Sequence, residues 1–426
     1  MADDQMAMSS VLWQNDRKTV ILLDLVRSIE EAQIPSSELA ANNGKLPATF
    51  RRLVSALPPV SPFPTPEPKR GSSEPPTASP SAQIAELMTQ AAVESALEEI
   101  RASHDGPWCL PRVVTSPQQK TTDEEKEGEG EGEEEEEEQE EAQISQQPPP
   151  QQLLLSSTDG ATQPAVPFDP RLYHLPPNSH PLLGTIPIPI PTNTASLPST
   201  TRPAPAPAAD LPADLKFDLI LLDPPWPNRS AKRKRGGAGA YRPAPDLESV
   251  RALLRQVPVA SRLAPGGLVA VWVTNAARFA DLLLGAGSGK NRRGDRGLFS
   301  EWAVEPVGEW TWLKITAGGE PVVPVDSAWR KPWERLLIAR KKERKNRSAV
   351  GEEGRTTGPV PGKVIAAVPD VHSRKPNLRR LFEELLPERY EALEVFARNL
   401  TAGWWAWGDE VLLFQRRECW VEGERE

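Results

Sequence analysis

With 426 residues, 50 Lys and Arg against 59 Asp and Glu, and a net charge of −9, the chain has the length of two or three domains. Its two cysteines, Cys109 and Cys419, and four scattered histidines make neither a disulfide framework nor a zinc-ligand pattern, so a reducing compartment and no metal are expected. No apolar run approaches bilayer length, and Met1-Ala-Asp-Asp opens without a basic then apolar stretch, which predicts a soluble intracellular protein with no membrane span and no signal peptide.

The averages conceal two unlike halves. Of 47 prolines, 31 precede Lys216, whereas 11 of 13 tryptophans lie at or after Trp226, so the core-forming material is in the second half. From Lys216 onward 36 Lys and Arg face 27 Asp and Glu, a net of +9; before it the counts are 14 and 32, a net of −18. A basic domain behind an acidic region suits a polyanionic partner, and suits plain solubility equally.

In chain order, residues 1–57 read as a small structured segment, with a short strand at Thr19–Leu25 and a helix at Ser28–Leu39. A piece of this size does not fold comfortably alone, so docking on the C-terminal domain or on a protein partner is expected. Residues 58–215 read as mostly disordered linker. Within it Pro58–Pro80 is rich in Pro and Ser, and residues 83–102 place Ile84, Leu87, Ala91, Leu97 and Ile100 at helical spacing. The acidic run 121–141 has too much like charge to bury anything, and serves as a tether or a spacer. The Pro-rich stretch 163–212 is expected to be extended, with Phe168–Leu183 as an arm that clips onto the following domain.

Residues 216–426 alternate as βα units do. Strands are predicted at Phe217–Leu222, Leu268–Val273, Glu309–Ile315, Glu334–Arg340, Val364–Val368, Ala392–Ala397 and Glu410–Phe414. Helices are predicted at Asp246–Leu263, Ala277–Leu284 and Asn377–Leu386. The sum is a single α/β sandwich. Its first strand ends abruptly in Asp223-Pro224-Pro225-Trp226, at the sheet edge where ligands bind in open α/β folds. Prolines carry no N–H, so this loop is expected to present carbonyls without a competing local donor. A carboxylate beside them and an indole after them suit a planar ring bearing an amine; a strand-to-loop corner capped by Asp is the plain alternative. The basic runs Lys232–Arg235 and Arg340–Arg347 suit phosphate contact, a nuclear-import signal or a solvated loop.

Asp223-Pro-Pro-Trp226, Lys331-Pro-Trp-Glu334, His372-Ser-Arg-Lys375-Pro376 and Leu393-Glu-Val-Phe-Ala-Arg398-Asn399-Leu400, followed by Gly403-Trp404 and Trp407-Gly408, stand in one order across about half the chain. Together they resemble the DPPW-type S-adenosylmethionine-dependent N6-adenine methyltransferases, the messenger-RNA adenine methyltransferase superfamily, and within it the methyltransferase-like-four branch. The resemblance implies a Rossmann-like methyltransferase sandwich and methyl transfer to adenine N6 in nucleic acid. RNA, such as small nuclear RNA, is the favoured substrate and DNA the other, with the nucleus as location. It implies a catalytic set of Asp223, Pro224, Pro225 and Trp226. Asp223 and the Pro224 carbonyl would hold the amine hydrogens and Trp226 would wall or stack the base.

By the same resemblance S-adenosylmethionine is held by Asp223, Lys375, Arg398, Asn399, Asp409 and Glu410. Lys375 would meet the methionine carboxylate, Arg398 and Asn399 the ribose hydroxyls. Asp409 stands where family members often carry Asn. Substrate contacts are expected from Asn228, Lys232, Arg233, Lys234, Arg235, Tyr241 and His372, and Glu394 lies either at the site or on an outward face. The alternative is an inactive nucleic-acid-binding or scaffold subunit of a methyltransferase complex, which the intact Asp223, Lys375, Arg398 and Asn399 disfavour. Oligomeric state is left open.

Overall fold

The computed structural model describes residues 9–42, 46–47, 49–64, 80–114, 172–184, 186, 211–227, 244–285, 296–327, 330–342 and 358–424. Val11–Gln14 (β1), Val20–Leu23 (β2) and His180–Leu183 (β4) join Phe217–Leu222 (β5), Leu263–Val273 (β6), Val304–Lys314 (β7), Trp333–Lys341 (β8), Lys363–Ala367 (β9), Ala392–Val395 (β10) and Trp405–Gly408 (β11). They form one ten-stranded sheet in the order β1-β2-β9-β7-β8-β6-β5-β10-β11-β4. Only β1 and β8 run against the rest. A separate antiparallel pair joins Thr49–Leu53 (β3) to Trp420–Glu424 (β12).

All six residues of β5 are buried; five are apolar, as a strand in a sheet covered on both faces requires, and Asp218 accepts from Glu391 N–H at 3.0 Å. Successive side chains feed opposite faces. Ile220 and Leu222 pack with Val250 and Leu253 of Leu247–Leu254 and with Phe279 and Leu283 of Ala277–Leu284. Leu219 and Leu221 share the other cluster with Val26 and Ile29 of Leu25–Ala32 (α1) and with Leu381 and Phe382 of Arg379–Glu383. Each such buried side chain contributes roughly 1.5–3 kcal/mol. The result is the α/β, Rossmann-like sandwich expected of the second half.

The N-terminal segment docks on the chain's own sheet. The four residues of β2 are all buried, and β2 pairs in parallel with β9. The Asp24 carboxylate caps α1 by accepting from Arg27 N–H at 2.7 Å. The expected helix at 83–102 spans Pro80–Ser103, but its apolar residues divide. Val93, Ala96, Leu97 and Ile100 pack on Val20, Leu22, Val364 and Ala366, while Ile84 and Leu87 stay exposed. The arm at 168–183 supplies β4, parallel to β11, so the sheet takes strands from both sides of residue 216. The acidic run 121–141 and the Pro-rich residues 187–210 lie outside the described residues.

Three expectations in the second half are corrected. The helix expected over Asp246–Leu263 breaks in two, Leu247–Leu254 and Val259–Arg262, around Pro258, because proline donates no N–H and crowds the preceding turn. The strand after it begins five residues early, at Leu263. No strand forms over Glu410–Phe414; Leu413–Gln415 is a 3-10 turn. The sheet takes Trp405–Gly408 instead. Among the described residues no helix is long and apolar enough to cross a membrane.

Candidate active site

The carboxyl ends of β5, β6, β7, β9, β10 and β11 and the start of antiparallel β8 share one sheet edge. The chain leaves β5 for β6 on one side and returns as β10 on the other. The β5–β10 gap is therefore a topological switch point, the crevice in which open α/β sheets bind ligands. Asp223 stands at its lip, its N–H donating to Val395 O at 3.3 Å. Glu394 sits opposite Leu221 in the neighbouring strand.

A line of alternating charges runs along this edge. Lys314 Nζ lies 2.8 Å from Glu334 Oε1, Lys375 Nζ lies 3.1 Å from Glu334 Oε2, and the same Nζ lies 3.2 Å from Asp223 Oδ2. Lys314 closes β7 and Glu334 is the second residue of β8, brought side by side by the antiparallel register that sets Trp312 against Glu334. Lys375 arrives on the loop after β9, its ammonium 5.7 Å from the Trp272 ring centre. Burial opposes ionisation of Glu334, yet Lys314 and Lys375 overcome it and lower its pKa to about 2. Burial likewise opposes the Lys375 ammonium, but Asp223 and Glu334 outweigh it and hold the pKa above the usual lysine value. Glu394 has no such cation among the described residues. Burial, with the charge of Asp223 added, raises its pKa to about 8.

A second pair lies beside the first. After β10, Phe396 takes a left-handed φ of 62°, a costly conformation away from glycine. Its N–H donates to Trp407 O at 2.7 Å. The turn brings Arg398 Nε within 3.0 Å of Glu410 Oε2. Burial raises the Glu410 pKa against the pull of Arg398, with Asp409 adding to the rise. Asn399 is half-buried next to Arg398, and Asp409 is exposed in the bend after β11. His372 is exposed with Nδ1 2.8 Å from Ser373 Oγ. Partial loss of hydration at the ring, then the charges of Lys314, Arg398 and Lys375, lower its pKa below the usual imidazole value. Asp223, His372, Lys375, Arg398 and Glu410 thus gather at one edge. Asn228, Lys232–Arg235 and Tyr241 lie outside the described residues.

Two local expectations for the proline loop fail. Pro224 O accepts from Trp226 N–H at 2.8 Å, and Pro225 O accepts from Ala244 N–H at 3.0 Å, so both carbonyls have a donor and each keeps one lone pair. Trp226 does not wall an open pocket. Its indole is buried, 4.7 Å from the Phe279 ring, and its N–H donates to Trp272 O at 2.8 Å. It anchors the loop from beneath. Sequence reading gave no role to Glu334 or Lys314, although Glu334 ends the quoted Lys-Pro-Trp-Glu block. Their pairing needs a strand register that no local pattern contains. Two buried polar atoms without a partner among the described residues belong to this edge as well, Asn275 Oδ1 and Trp312 Nε1.

The MT-A70 family matches residues 217–410. Over nearly its full length the chain is similar to N6-methyladenosine RNA methyltransferase MTA1 of Pyricularia oryzae, 44% identical across 98% of this chain and 97% of that protein. It is similar to the protein of the same name from Cryphonectria parasitica, 41% identical across 97% and 94%. N(6)-adenine-specific methyltransferase METTL4 of Homo sapiens is 36% identical across 49% of this chain and 40% of its own length. The chain belongs to the MT-A70 family. Its activity is accordingly S-adenosylmethionine-dependent methylation of adenine N6 in nucleic acid.

The edge of this MT-A70 protein fits that cofactor on its own donor set. An ammonium held between two carboxylates can exchange one of them for a ligand carboxylate. The carboxylate so released can then face a ligand cation, which suits a zwitterionic amino-acid end that also carries a sulfonium. Among the described residues no three His, Cys, Asp or Glu side chains gather as a metal-holding group.

Proposed function

We propose that this MT-A70 protein methylates adenine N6 in RNA. The near full-length similarity to two proteins named as RNA methyltransferases carries the substrate class. The motifs pointed to the methyltransferase-like-four branch, but similarity to METTL4 spans half the chain and similarity to MTA1 nearly all of it, which favours the MTA1 grouping. Incubating purified protein with RNA or DNA and labelled cofactor, then resolving nucleosides by mass spectrometry, tests this directly. N6-methyladenosine from RNA is the expected product; methylated deoxyadenosine with unmodified RNA would overturn the substrate class.

The exocyclic nitrogen of adenine is a poor nucleophile because its lone pair is delocalised into the ring. It becomes reactive when its hydrogens are held by acceptors as the nitrogen turns tetrahedral. Asp223 supplies one acceptor and the remaining lone pair of Pro224 O the second, both fixed before the substrate arrives. Pro225 and the buried Trp226 hold the loop in that posture. The cofactor, when bound, supplies an electrophilic methyl on a sulfonium. Lys375 takes its carboxylate, Arg398 and Asn399 its ribose hydroxyls, and Asp409 and Glu410 flank its adenine. Lys375→Ala and Arg398→Ala are each expected to weaken cofactor binding by about 1–3 kcal/mol in calorimetric titration. Normal binding in both would remove these assignments.

His372, exposed at the same edge, and Asn228 and Tyr241 of the loop after Asp223 are proposed to contact the substrate. Lys232–Arg235 would hold phosphates. Replacing all four by Ala should raise the substrate KM and reduce the slope of log K against log salt by about 0.7 per lost contact to a single strand. An unchanged slope would leave these residues the role of an import signal. The basic runs support a nuclear location, tested by imaging the same variant in cells. The N-terminal half, with exposed Ile84, Leu87 and Met88, is the proposed side for a protein partner.

A further inference from the structure

The loop that delivers Lys375 begins where β9 ends and is held by residues far upstream of the matched segment 217–410. Arg112 does most of this. Its Nη2 donates to Val368 O at 3.0 Å and Pro369 O at 2.8 Å, and its Nη1 donates to Ala56 O at 3.2 Å. The same Nη1 lies 3.7 Å from Asp370 Oδ1, with both side chains almost fully buried. Asp370 also accepts from Ala56 N–H at 2.8 Å and pairs with Arg374, whose Nη1 donates to Val54 O at 3.1 Å and whose guanidinium lies over the Phe414 ring. Farther on, Asn377 N–H donates to Ser28 Oγ at 3.0 Å.

The segments that hold the loop are themselves tied down. Ser55 N–H donates to Val113 O at 2.9 Å, and Leu110 N–H donates to Asp24 Oδ2 at 2.7 Å. Between these fixings lie His372 and Lys375. The Lys375 ammonium must fall within about 3 Å of two carboxylates, Asp223 just after β5 and Glu334 in β8, and a long flexible side chain holds such a position only if its Cα is fixed.

We propose that Arg112 is a positioning residue of the methyltransferase site: its guanidinium fixes residues 368–370 and, through Asp370 and Arg374, the placement of Lys375. The N-terminal segment is then a working part of the cofactor site rather than an appendage to it. The geometry suits Arg and no other residue, since one planar fork reaches two successive carbonyls, a third from another segment and a carboxylate. This inference rests on the reading of Lys375 as a cofactor ligand.

A double-mutant cycle in the full chain tests it, with cofactor Kd from calorimetry and thermal melting of each protein. Arg112→Lys keeps the charge and stem but loses the fork; Arg112→Met loses every donor. Both are expected to raise the cofactor Kd by about 10- to 100-fold in proteins that still melt cooperatively. In a Lys375→Ala background neither should raise it further, because the group being positioned is gone. Additive effects in that background would assign Arg112 to general support of the core and overturn the proposal. So would an unchanged Kd in both Arg112 variants while Lys375→Ala raises it, which leaves the Lys375 assignment standing. An unchanged Kd in Lys375→Ala removes that assignment and the inference with it. Loss of cooperative melting in both Arg112 variants would overturn the positioning role in favour of a structural one.

Discussion

Asp223→Asn is expected to lower kcat by roughly 10²–10³-fold while leaving the melting temperature within about 3 °C of wild type. The substitution keeps the shape of the side chain at the lip of β5 but replaces a carboxylate oxygen with an N–H₂ that cannot accept from the amine. The fold has little reason to respond. Asp223 is partly exposed, and its cation Lys375 keeps Glu334 at 3.1 Å. Single-turnover methyl transfer to RNA, beside a melting scan, reads both quantities. Turnover within a few-fold of wild type would show that the amine finds its acceptor elsewhere, with the Pro224 carbonyl the next candidate.

Glu394→Gln is expected to make the protein more stable at alkaline pH, although it removes a native charge. The folded-state pKa of Glu394 is raised to about 8 from an ordinary 4.5, by burial first and by Asp223 second. Between those values the folded protein binds a proton that the unfolded chain has released, so this group's contribution falls as pH rises from about 4.5 through 8. Gln cannot ionise and escapes that loss. At about 1.4 kcal/mol per unit, discounted for partial exposure, the variant should gain on the order of 3 kcal/mol over wild type at pH 9 and nothing at pH 4. Melting temperatures across that range give the answer. A difference that is flat with pH would mean that Glu394 keeps an ordinary carboxyl pKa in the folded protein. A bound sulfonium or ammonium favours the ionised form, so wild-type cofactor affinity should climb as pH rises through 8 and the variant's should not.

The two effects have one origin. Asp223, Glu334, Glu394 and Glu410 stand at this edge, and among the described residues Asp223, Glu334 and Glu410 have a Lys or Arg within 3.2 Å. The Glu394 pKa reflects burial first and the charge of Asp223 second, with no compensating cation among the described residues. A cationic ligand arriving in the β5–β10 crevice would supply that compensation, so protonation at Glu394 is expected to respond to cofactor binding.

What the sequence determined by itself is local. An apolar run, Leu219–Leu222, followed by Asp-Pro-Pro-Trp makes a buried strand and a rigid loop, because side-chain burial and fixed proline φ act over a few residues. The helix Ala277–Leu284 was legible to the residue from its spacing. The order of Lys375, Arg398 and Glu410 along the chain was legible through the family resemblance, which implied a cofactor role for them. Tertiary structure alone decided how these pieces meet. Trp226 turned under its loop because a carbonyl of the adjacent strand, at Trp272, accepts its indole N–H. Trp405–Gly408 became a strand because β4 and β10 offered both of its edges a ladder, although no alternation marked it. Glu334 met Lys314 through strand register and Lys375 through the loop after β9, and Arg112 reached Val368 and Pro369 across more than 250 residues. Such contacts depend on hydrogen-bond geometry between segments distant in the chain, and a local reading of residue types carries no information about it.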